Sequence, residues 1–289
     1  MADPRLTPAR GDIAAKFLEG KVDAARFVEG ETFEVREAIA PLRAEPLADA
    51  EQMTQALKSE RVTIYDRNGE GWAWGQLVAD GYVGWLPEAA LAKLSNTTHR
   101  IAALRTFAFP GPSIKLPPIE TLVLGSKIMV TREDVSFVVT SEGWFVPKQH
   151  VVPLGTVEPD YVAVAERFGG TPYLWGGKSS LGIDCSGLVQ ISMNTAGMAC
   201  LRDSDMQQAA LGRPVDDSDT KSLQRGDLIF WKGHVAIVRD AETIVHANAF
   251  HMATAIETTA EAIARIKAAG SDVLAIRRLS SPLPTREYP

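Results

Sequence analysis

The sequence predicts an α+β protein in which small β-barrels come before a mixed domain of helices and strands. Residues 61–87 contain three short strand-like runs separated by glycine-rich turns, a pattern typical of a small barrel. A weaker copy of this pattern follows near residues 98–155. Beyond it, two helix-like segments come before four strand-like runs, an order typical of an α+β domain.

The chain divides into four predicted segments. Helical spacing of apolar residues predicts an N-terminal helical arm. The first barrel follows it. The run Gly143–Pro147 echoes Gly84–Pro87 and indicates the second barrel, because two copies are too few for a solenoid. A proline-bounded linker then leads to the last domain. The predicted bounds are 1–30 for the arm, 31–95 and 98–155 for the barrels, and 158–289 for the α+β domain.

The last domain has its own predicted elements. The apolar pattern predicts two helices, the second of which stops at Gly197. Four strand-like runs follow the helices. The predicted helices are Tyr161–Phe168 and Cys185–Ala196, and the predicted strands are Asp227–Trp231, His234–Arg239, Thr243–Ala247 and Val273–Leu279.

Composition narrows the class of protein and of partner. The chain has 289 residues, of which 45% are hydrophobic and 23% charged, as in a globular protein with a real core. A net charge of −6 with interspersed signs argues against a nucleic acid partner. The N-terminal residues do not read as a secretory signal, and no run of about eighteen apolar residues predicts a membrane span. We therefore expect a cytoplasmic protein with reduced thiols and no membrane partner.

Cys185 stands at the predicted start of a helix. A thiol there faces unpaired backbone N–H groups and the positive end of the helix dipole, which predicts a lowered pKa and a reactive thiolate. The same N–H groups suit a developing oxyanion. The alternative reading is a small buried core thiol, which is the commoner case for a lone cysteine.

Two histidines on neighbouring strands favour the catalytic reading. A turn at residues 240–242 would place His246 opposite Ala236 and His234 opposite Asn248. The histidines would then be diagonal neighbours on one face of the sheet. One could take the thiol proton while the other orients it. The alternative for His246 is a structural histidine. The sequence indicates no metal and no cofactor, because neither cysteine has a partner at zinc-ligand spacing.

Four short motifs follow one another in the predicted last domain: Pro172–Gly177, Asp184–Leu188, Gly226–Phe230 and Gly233–Val235. In this order they resemble the NlpC/P60 family of cell-wall cysteine peptidases, over about residues 158–280.

The resemblance implies a papain-like α+β core with a triad of Cys185, His234 and His246. It also implies an oxyanion site formed by Tyr173 and the backbone that follows Asp184, so that Asp184 and Ser186 count among the substrate-binding residues.

The predicted barrels resemble bacterial SH3 domains. Two of them before an NlpC/P60 domain resemble the γ-D-glutamyl-L-diamino acid endopeptidases of that family, which require a free N-terminal L-Ala. The resemblance implies four residues that recognise this amine. Three of them have a structural alternative: a core tyrosine for Tyr82, a solvated turn acid for Glu60 and a helix cap for Asp203. The family's glycine before the first acid is Ser59 here. The implied residues are Tyr82, Glu60, Asp203 and Ser204.

The expected substrate is a murein-derived peptide, L-Ala-γ-D-Glu-diamino acid, cut after γ-D-Glu during peptide recycling. One alternative is a secreted hydrolase of intact peptidoglycan. Another is a non-catalytic wall-binding module, against which the presence of Cys185 and His234 counts.

Overall fold

The computed structural model describes residues 3–215 and 222–279. The remaining parts of the predicted arm and of the predicted last domain lie outside the described residues. The chain forms two compact units, Met1–Thr156 and Val157–Pro289.

The N-terminal segment corrects the predicted helical arm. Within residues 3–30 there is no α-helix; the segment contains a single 3₁₀ turn at Lys16–Leu18 and the short parallel strands β1 (Ala14–Ala15) and β2 (Phe27–Val28). The apolar spacing was misleading because Phe17 is 59% exposed, whereas Ile13 is fully buried. The extended backbone of this segment instead satisfies its polar groups by bonding to the first sheet. The Val83 N–H donates to the Arg5 carbonyl oxygen at 2.8 Å.

One side chain of this segment is held by aromatic rings. The Arg10 guanidinium lies 4.5 Å from the ring centroid of Trp74 and 4.8 Å from that of Trp85. It also pairs with Asp66 at 2.5 Å. Arg10 therefore fastens the segment by cation–π contacts and an ion pair together.

The first unit contains a seven-stranded antiparallel sheet in the order β5-β4-β8-β7-β6-β3-β9. The predicted strands at 61–66, 72–77 and 82–87 are confirmed. The strands are β3 (Glu31–Val35), β4 (Ile39–Arg43), β5 (Gln52–Leu57), β6 (Arg61–Arg67), β7 (Trp72–Leu77), β8 (Val83–Pro87) and β9 (Leu91–Ala92).

Residues 99–153 form a second group of short strands with its own buried cluster around Ile101, Leu122 and Val138. The strands make three small sheets, so the second barrel stays a prediction. They are β10 (His99–Ile101), β11 (Arg105–Ala108), β12 (Glu120–Val123), β13 (Lys127–Ile128), β14 (Val130–Glu133), β15 (Phe137–Thr140), β16 (Phe145–Pro147) and β17 (Val151–Pro153).

The second unit has four α-helices among its described residues and an antiparallel sheet. The helices are α1 (Tyr161–Arg167), α2 (Cys185–Thr195), α3 (Ser204–Ala210) and α4 (Thr259–Ala268). A small hairpin joins β18 (Lys178–Ser179) to β19 (Gly182–Ile183). The six-stranded sheet has the order β20-β25-β21-β22-β23-β24. Its strands are β20 (Arg213–Val215), β21 (Asp227–Trp231), β22 (His234–Val238), β23 (Thr243–Asn248), β24 (Ala253–Thr258) and β25 (Ala275–Arg278).

The predicted helices and strands of this unit are confirmed within two residues at their ends. The predicted register is confirmed as well, because β22 pairs with β23 through Ile237–Val245 and Val238–Ile244. Strand β24 and helix α4 were not predicted. Helix α4 packs on the sheet through Ala262, in a buried cluster that includes Trp231 and Ile276.

Candidate active site

Cys185 is the first residue of α2, and Asp184 caps that helix. The Asp184 Oδ1 atom accepts the Gly187 N–H at 2.7 Å, which satisfies one of the free amides of the first turn. Gly187 has no room for a side chain, because a Cβ atom there would lie 2.2 Å from the Gly177 carbonyl oxygen. The glycine of the cysteine motif thus lets the helix approach the preceding loop closely.

A buried ion pair holds the same aspartate from the other side. Arg202 bonds Asp184 through both terminal nitrogens, at 2.6 and 2.9 Å, and both residues are buried. Arg202 also donates to the Ser186 hydroxyl at 2.8 Å. The second carboxylate oxygen accepts the Gly176 N–H at 2.8 Å. Sequence reasoning missed Arg202, whose only signal was a charged side chain beside a predicted helix start.

The pKa of the Cys185 thiol is raised, which corrects the prediction of a lowered pKa. Cys185 is only 7% exposed. Burial, followed by the neighbouring Asp184 carboxylate, raises the pKa of the Cys185 thiol to about 12. Backbone N–H groups of Val235 and Ser186 favour the thiolate, as expected at a helix start, but they do not offset burial. The resting thiol is therefore protonated and needs a base.

His234 follows a tight turn. Strands β21 and β22 pair Trp231 with His234, so the turn consists of Lys232 and Gly233, and Gly233 adopts a φ of 71° that favours glycine. The Trp231 and His234 ring centroids are 5.6 Å apart. The Val235 N–H favours the Cys185 thiolate, which places the thiol beside the first residues of β22.

The two histidines and one unpredicted glutamate form a hydrogen-bonded row. His234 Nε2 lies 2.8 Å from His246 Nδ1, and His246 Nε2 lies 2.7 Å from Glu257 Oε1. Glu257 also forms an ion pair with Arg265 of α4. The predicted contact between the histidines is thus confirmed. Glu257 escaped prediction because strand β24 did.

Burial and nearby charges keep His234 neutral. Burial first, and then the nearby His246 and Arg265, lower the pKa of His234 to about 3. Burial also lowers the pKa of His246. A neutral imidazole can accept a proton, so His234 has the charge state that a general base needs.

Three further predicted residues lie close to the thiol. Tyr173 pairs with Ile183 in a parallel bridge just before Asp184. Burial and the neighbouring Cys185 raise the pKa of the Tyr173 hydroxyl above its usual value, so this hydroxyl stays a donor. Ser186 and Asp184 are buried at the start of α2. The structure thus brings Tyr173, Asp184 and Ser186 together around Cys185.

The predicted amine-recognition residues are divided between the units. In the second unit, Asp203 holds the N-cap position of α3, yet within the described residues its side chain makes no capping hydrogen bond; Ser204 begins the helix. In the first unit, Tyr82 is 1% exposed. Glu60 accepts the Leu57 N–H at 2.9 Å in a turn where Ser59 has a φ of 58°, the conformation that explains the family's glycine.

One group of side chains has donor atoms at metal-like spacing. The donor atoms of His246, His251 and Glu257 lie within 4.8 Å of one another. The His246 and Glu257 atoms are hydrogen-bonded to each other in this arrangement.

None of the helices in residues 3–215 and 222–279 has the length and hydropathy to cross a membrane.

Two family models match the chain. Residues 42–91 match the bacterial dipeptidyl-peptidase SH3 domain, and residues 170–266 match the NlpC/P60 family. The second match contains Cys185, His234, His246 and Glu257.

Individual proteins are similar to this chain over more than half of its length. Dipeptidyl-peptidase 6 of Lysinibacillus sphaericus is 29% identical over 234 residues, 73% of this chain and 85% of that protein. The γ-D-glutamyl-L-lysine dipeptidyl-peptidase of Bacillus subtilis is 31% identical over 62% of this chain, which spans 63% of that protein. A crystal structure of an NlpC/P60 family protein from Bacillus cereus covers 87% of this chain and all of that chain, with a TM-score of 0.72 and 21% identity, and shows the same fold. The chain therefore contains a bacterial dipeptidyl-peptidase SH3 domain followed by a cysteine peptidase domain of the NlpC/P60 family.

Proposed function

We propose that this protein hydrolyses the γ-D-glutamyl–diamino acid bond of murein-derived peptides with a free N-terminal L-Ala. The observation that carries this proposal is the row from His234 to Glu257 beside the helix that begins at Cys185. The names of the relatives supply the substrate class, because two of them are γ-D-glutamyl-L-lysine dipeptidyl-peptidases.

The proposed reaction begins with a proton transfer. His234 takes the thiol proton of Cys185 as the sulfur attacks the γ-carbonyl carbon of D-Glu. The carbonyl oxygen becomes an oxyanion, for which backbone N–H groups at the start of α2 and the Tyr173 hydroxyl are the candidate donors. The protonated His234 then gives its proton to the leaving amino group of the diamino acid. Water, deprotonated by His234, releases the peptide acid and restores the thiol.

Recognition of the free amine is the finer part of the proposal. A buried ammonium group needs charged or polar partners, because an unpaired charge away from water is costly. Asp203 and Ser204 are the candidates in the catalytic unit, and Tyr82 and Glu60 are the candidates in the first unit. We also propose that residues 98–155 form a second SH3-like barrel, that the protein is cytoplasmic, and that it acts in peptide recycling.

The alternatives predict different substrates. A secreted wall hydrolase would cut peptides within intact peptidoglycan, where the L-Ala amine is acylated. A non-catalytic wall-binding module would cut nothing. The neutral base beside a cysteine favours a peptidase over a binding module.

The deciding experiment compares the peptide L-Ala-γ-D-Glu-L-Lys with its N-acetylated form. We expect cleavage of the free peptide only, and no cleavage by Cys185→Ala. Asp203→Asn should lower kcat/KM for the free peptide by roughly thirtyfold or more, since losing one partner of a buried charge costs about 2–5 kcal/mol. Asp205→Asn, which removes the same charge two residues away, is the control. Equal cleavage of both peptides by the parent protein would favour the wall hydrolase.

A further inference from the structure

The unpredicted residue Glu257 lies at the end of the histidine row, away from the thiol. Strand β23 pairs His246 with Ala255 of β24, and Glu257 lies two residues further along β24 on the same face. Glu257 is therefore a diagonal neighbour of His246, within reach of its ring. The two atoms that meet, His246 Nε2 and Glu257 Oε1, are 2.7 Å apart.

Glu257 is ionised in this arrangement. Burial raises the pKa of its carboxyl, but the hydrogen bond with His246 and the charge of Arg265 outweigh burial and lower it. Arg265 lies in the last turn of α4 and pairs with Glu257. Its guanidinium lies 4.2 Å from the ring centroid of Phe250. A carboxylate has only acceptor atoms, so the proton between Glu257 and His246 belongs to His246 Nε2.

That proton determines the positions of the other ring protons. A neutral imidazole carries one N–H, so His246 Nδ1 must be an acceptor. It accepts from His234 Nε2, which lies 2.8 Å away. His234 is neutral as well, so its Nδ1 keeps a free lone pair. With the opposite tautomers, His234 Nδ1 would carry the proton and could not accept one from a thiol.

We propose that Glu257 is a positioning residue that fixes the tautomers of both histidines and so keeps His234 Nδ1 ready to accept the Cys185 proton. The inference rests on the proposed peptidase function for its kinetic consequence, but the tautomers themselves are observable without any substrate. When His234 becomes protonated, the negative charge of Glu257 at the other end of the row also favours the new positive charge.

The first test is nitrogen-15 NMR of the imidazole rings in the parent protein, with His234→Gln and His246→Gln to assign the signals. We expect the N–H on Nε2 in both rings at neutral pH. An N–H on Nδ1 of His246 in the parent protein would overturn the inference, whether or not any Glu257 variant folds.

The second test replaces the carboxylate with an amide. In Glu257→Gln the amide can donate as well as accept, so the tautomers are no longer fixed and we expect a mixture in the NMR spectrum. We expect kcat/KM to fall by about a hundredfold or more; a carboxylate-to-amide change directly beside the base of a serine protease triad lowers kcat about 10⁴-fold. Glu257→Asp should retain the Nε2–H tautomers and recover part of the activity.

Glu261→Gln is the matched control. Glu261 lies on the first turn of α4 and bonds the Thr258 hydroxyl at 2.7 Å, a contact that glutamine can replace in a capping box. This variant removes one nearby negative charge but leaves the row intact, so its tautomers and activity should match those of the parent protein. Unchanged tautomers in Glu257→Gln would refute the positioning role. A parent protein with the expected tautomers and no peptide cleavage would instead refute only the proposed function.

Discussion

At the scale of single residues, burial favours the neutral forms of Cys185 and His234, the proposed nucleophile and base. Burial raises the pKa of Cys185 to about 12 and lowers that of His234 to about 3. Burial therefore disfavours a preformed thiolate–imidazolium pair. In the proposed reaction, charge separates as the proton moves from sulfur to nitrogen, and the N–H groups of α2 act at that moment.

The protonated thiol gives a prediction for chemical modification. We expect the rate of Cys185 alkylation by iodoacetamide to rise about tenfold per pH unit between roughly pH 6 and 9, because only the thiolate reacts. The measurement is the alkylation rate followed by mass spectrometry of the labelled peptide, with Cys200→Ser to remove the other thiol. A rate that is constant across this range would indicate a thiolate already formed at neutral pH.

Sequence reasoning placed the helix start and the two histidines correctly, but it predicted the opposite direction for the pKa of Cys185. The helix start, the two histidines and their register follow from local spacing, and the structure confirms those placements. The sign of the Cys185 shift depends on burial, which tertiary packing determines and no local motif records.

At the scale of elements, the Asp184–Arg202 pair joins three segments: the loop at Gly176, the start of α2, and the segment just before α3. Removing one partner of a buried ion pair leaves an uncompensated charge. The helix that carries the proposed nucleophile therefore depends on a side chain seventeen residues beyond the cysteine, at position 202.

We expect Arg202→Met to lower the free energy of unfolding by about 3–5 kcal/mol, because Asp184 would stay buried without its cation. Lys267→Met is the control, since the Lys267–Asp272 pair is exposed and such pairs contribute less than about 1 kcal/mol. Urea unfolding, with the midpoint and slope fitted for each variant, measures both. A loss for Arg202→Met as small as that of the control would contradict the structural role of the pair.

Two elements that hold Glu257 and Arg265 were not predicted, although the sequence contains a signal for one of them. Thr258 followed by Glu261 is a capping box, and Gly270 follows the end of the helical run. Strand β24 has a weaker signal, because its buried and exposed positions do not alternate strictly. A correct strand there would have placed Glu257 beside His246 by the diagonal rule that placed His234.

At the scale of the whole molecule, the buried histidines couple stability to pH. The ordinary pKa of histidine is 6.5, and that of folded His234 is lowered to about 3. As the pH falls from 6.5 towards 3, the unfolded chain binds a proton at His234 that the folded chain does not bind. The stability that neutral His234 contributes is therefore fully present above about pH 6.5 and is lost as the pH falls towards 3.

We expect the free energy of unfolding of the parent protein to fall with decreasing pH, with a slope of up to about 1.4 kcal/mol per pH unit from this one proton. His234→Gln should lose less stability on acidification than the parent protein does. Urea unfolding at several pH values between 7 and 4 checks this, with His251→Gln, at an exposed position, as the control for loss of an imidazole. An identical acid dependence in His234→Gln and the parent protein would contradict the pKa of His234.

The order of segments could be predicted from the sequence, but the N-terminal arm could not. Glycine turns and strand runs of the first barrel are local signals, and the structure confirms the strands. The arm has a helical apolar spacing, yet its backbone pairs with a sheet that is distant in sequence. Such pairing depends on a surface that exists only after the barrel has folded.

The position of Arg10 has a consequence for what the first unit can recognise. Aromatic platforms that bind sugar rings need an indole face open to solvent. Trp74 and Trp85 are 4% and 9% exposed, and both rings are already stacked against Arg10. The Arg10 side chain thus covers the faces of these two indoles, which hold the N-terminal segment in place and are closed to glycan strands.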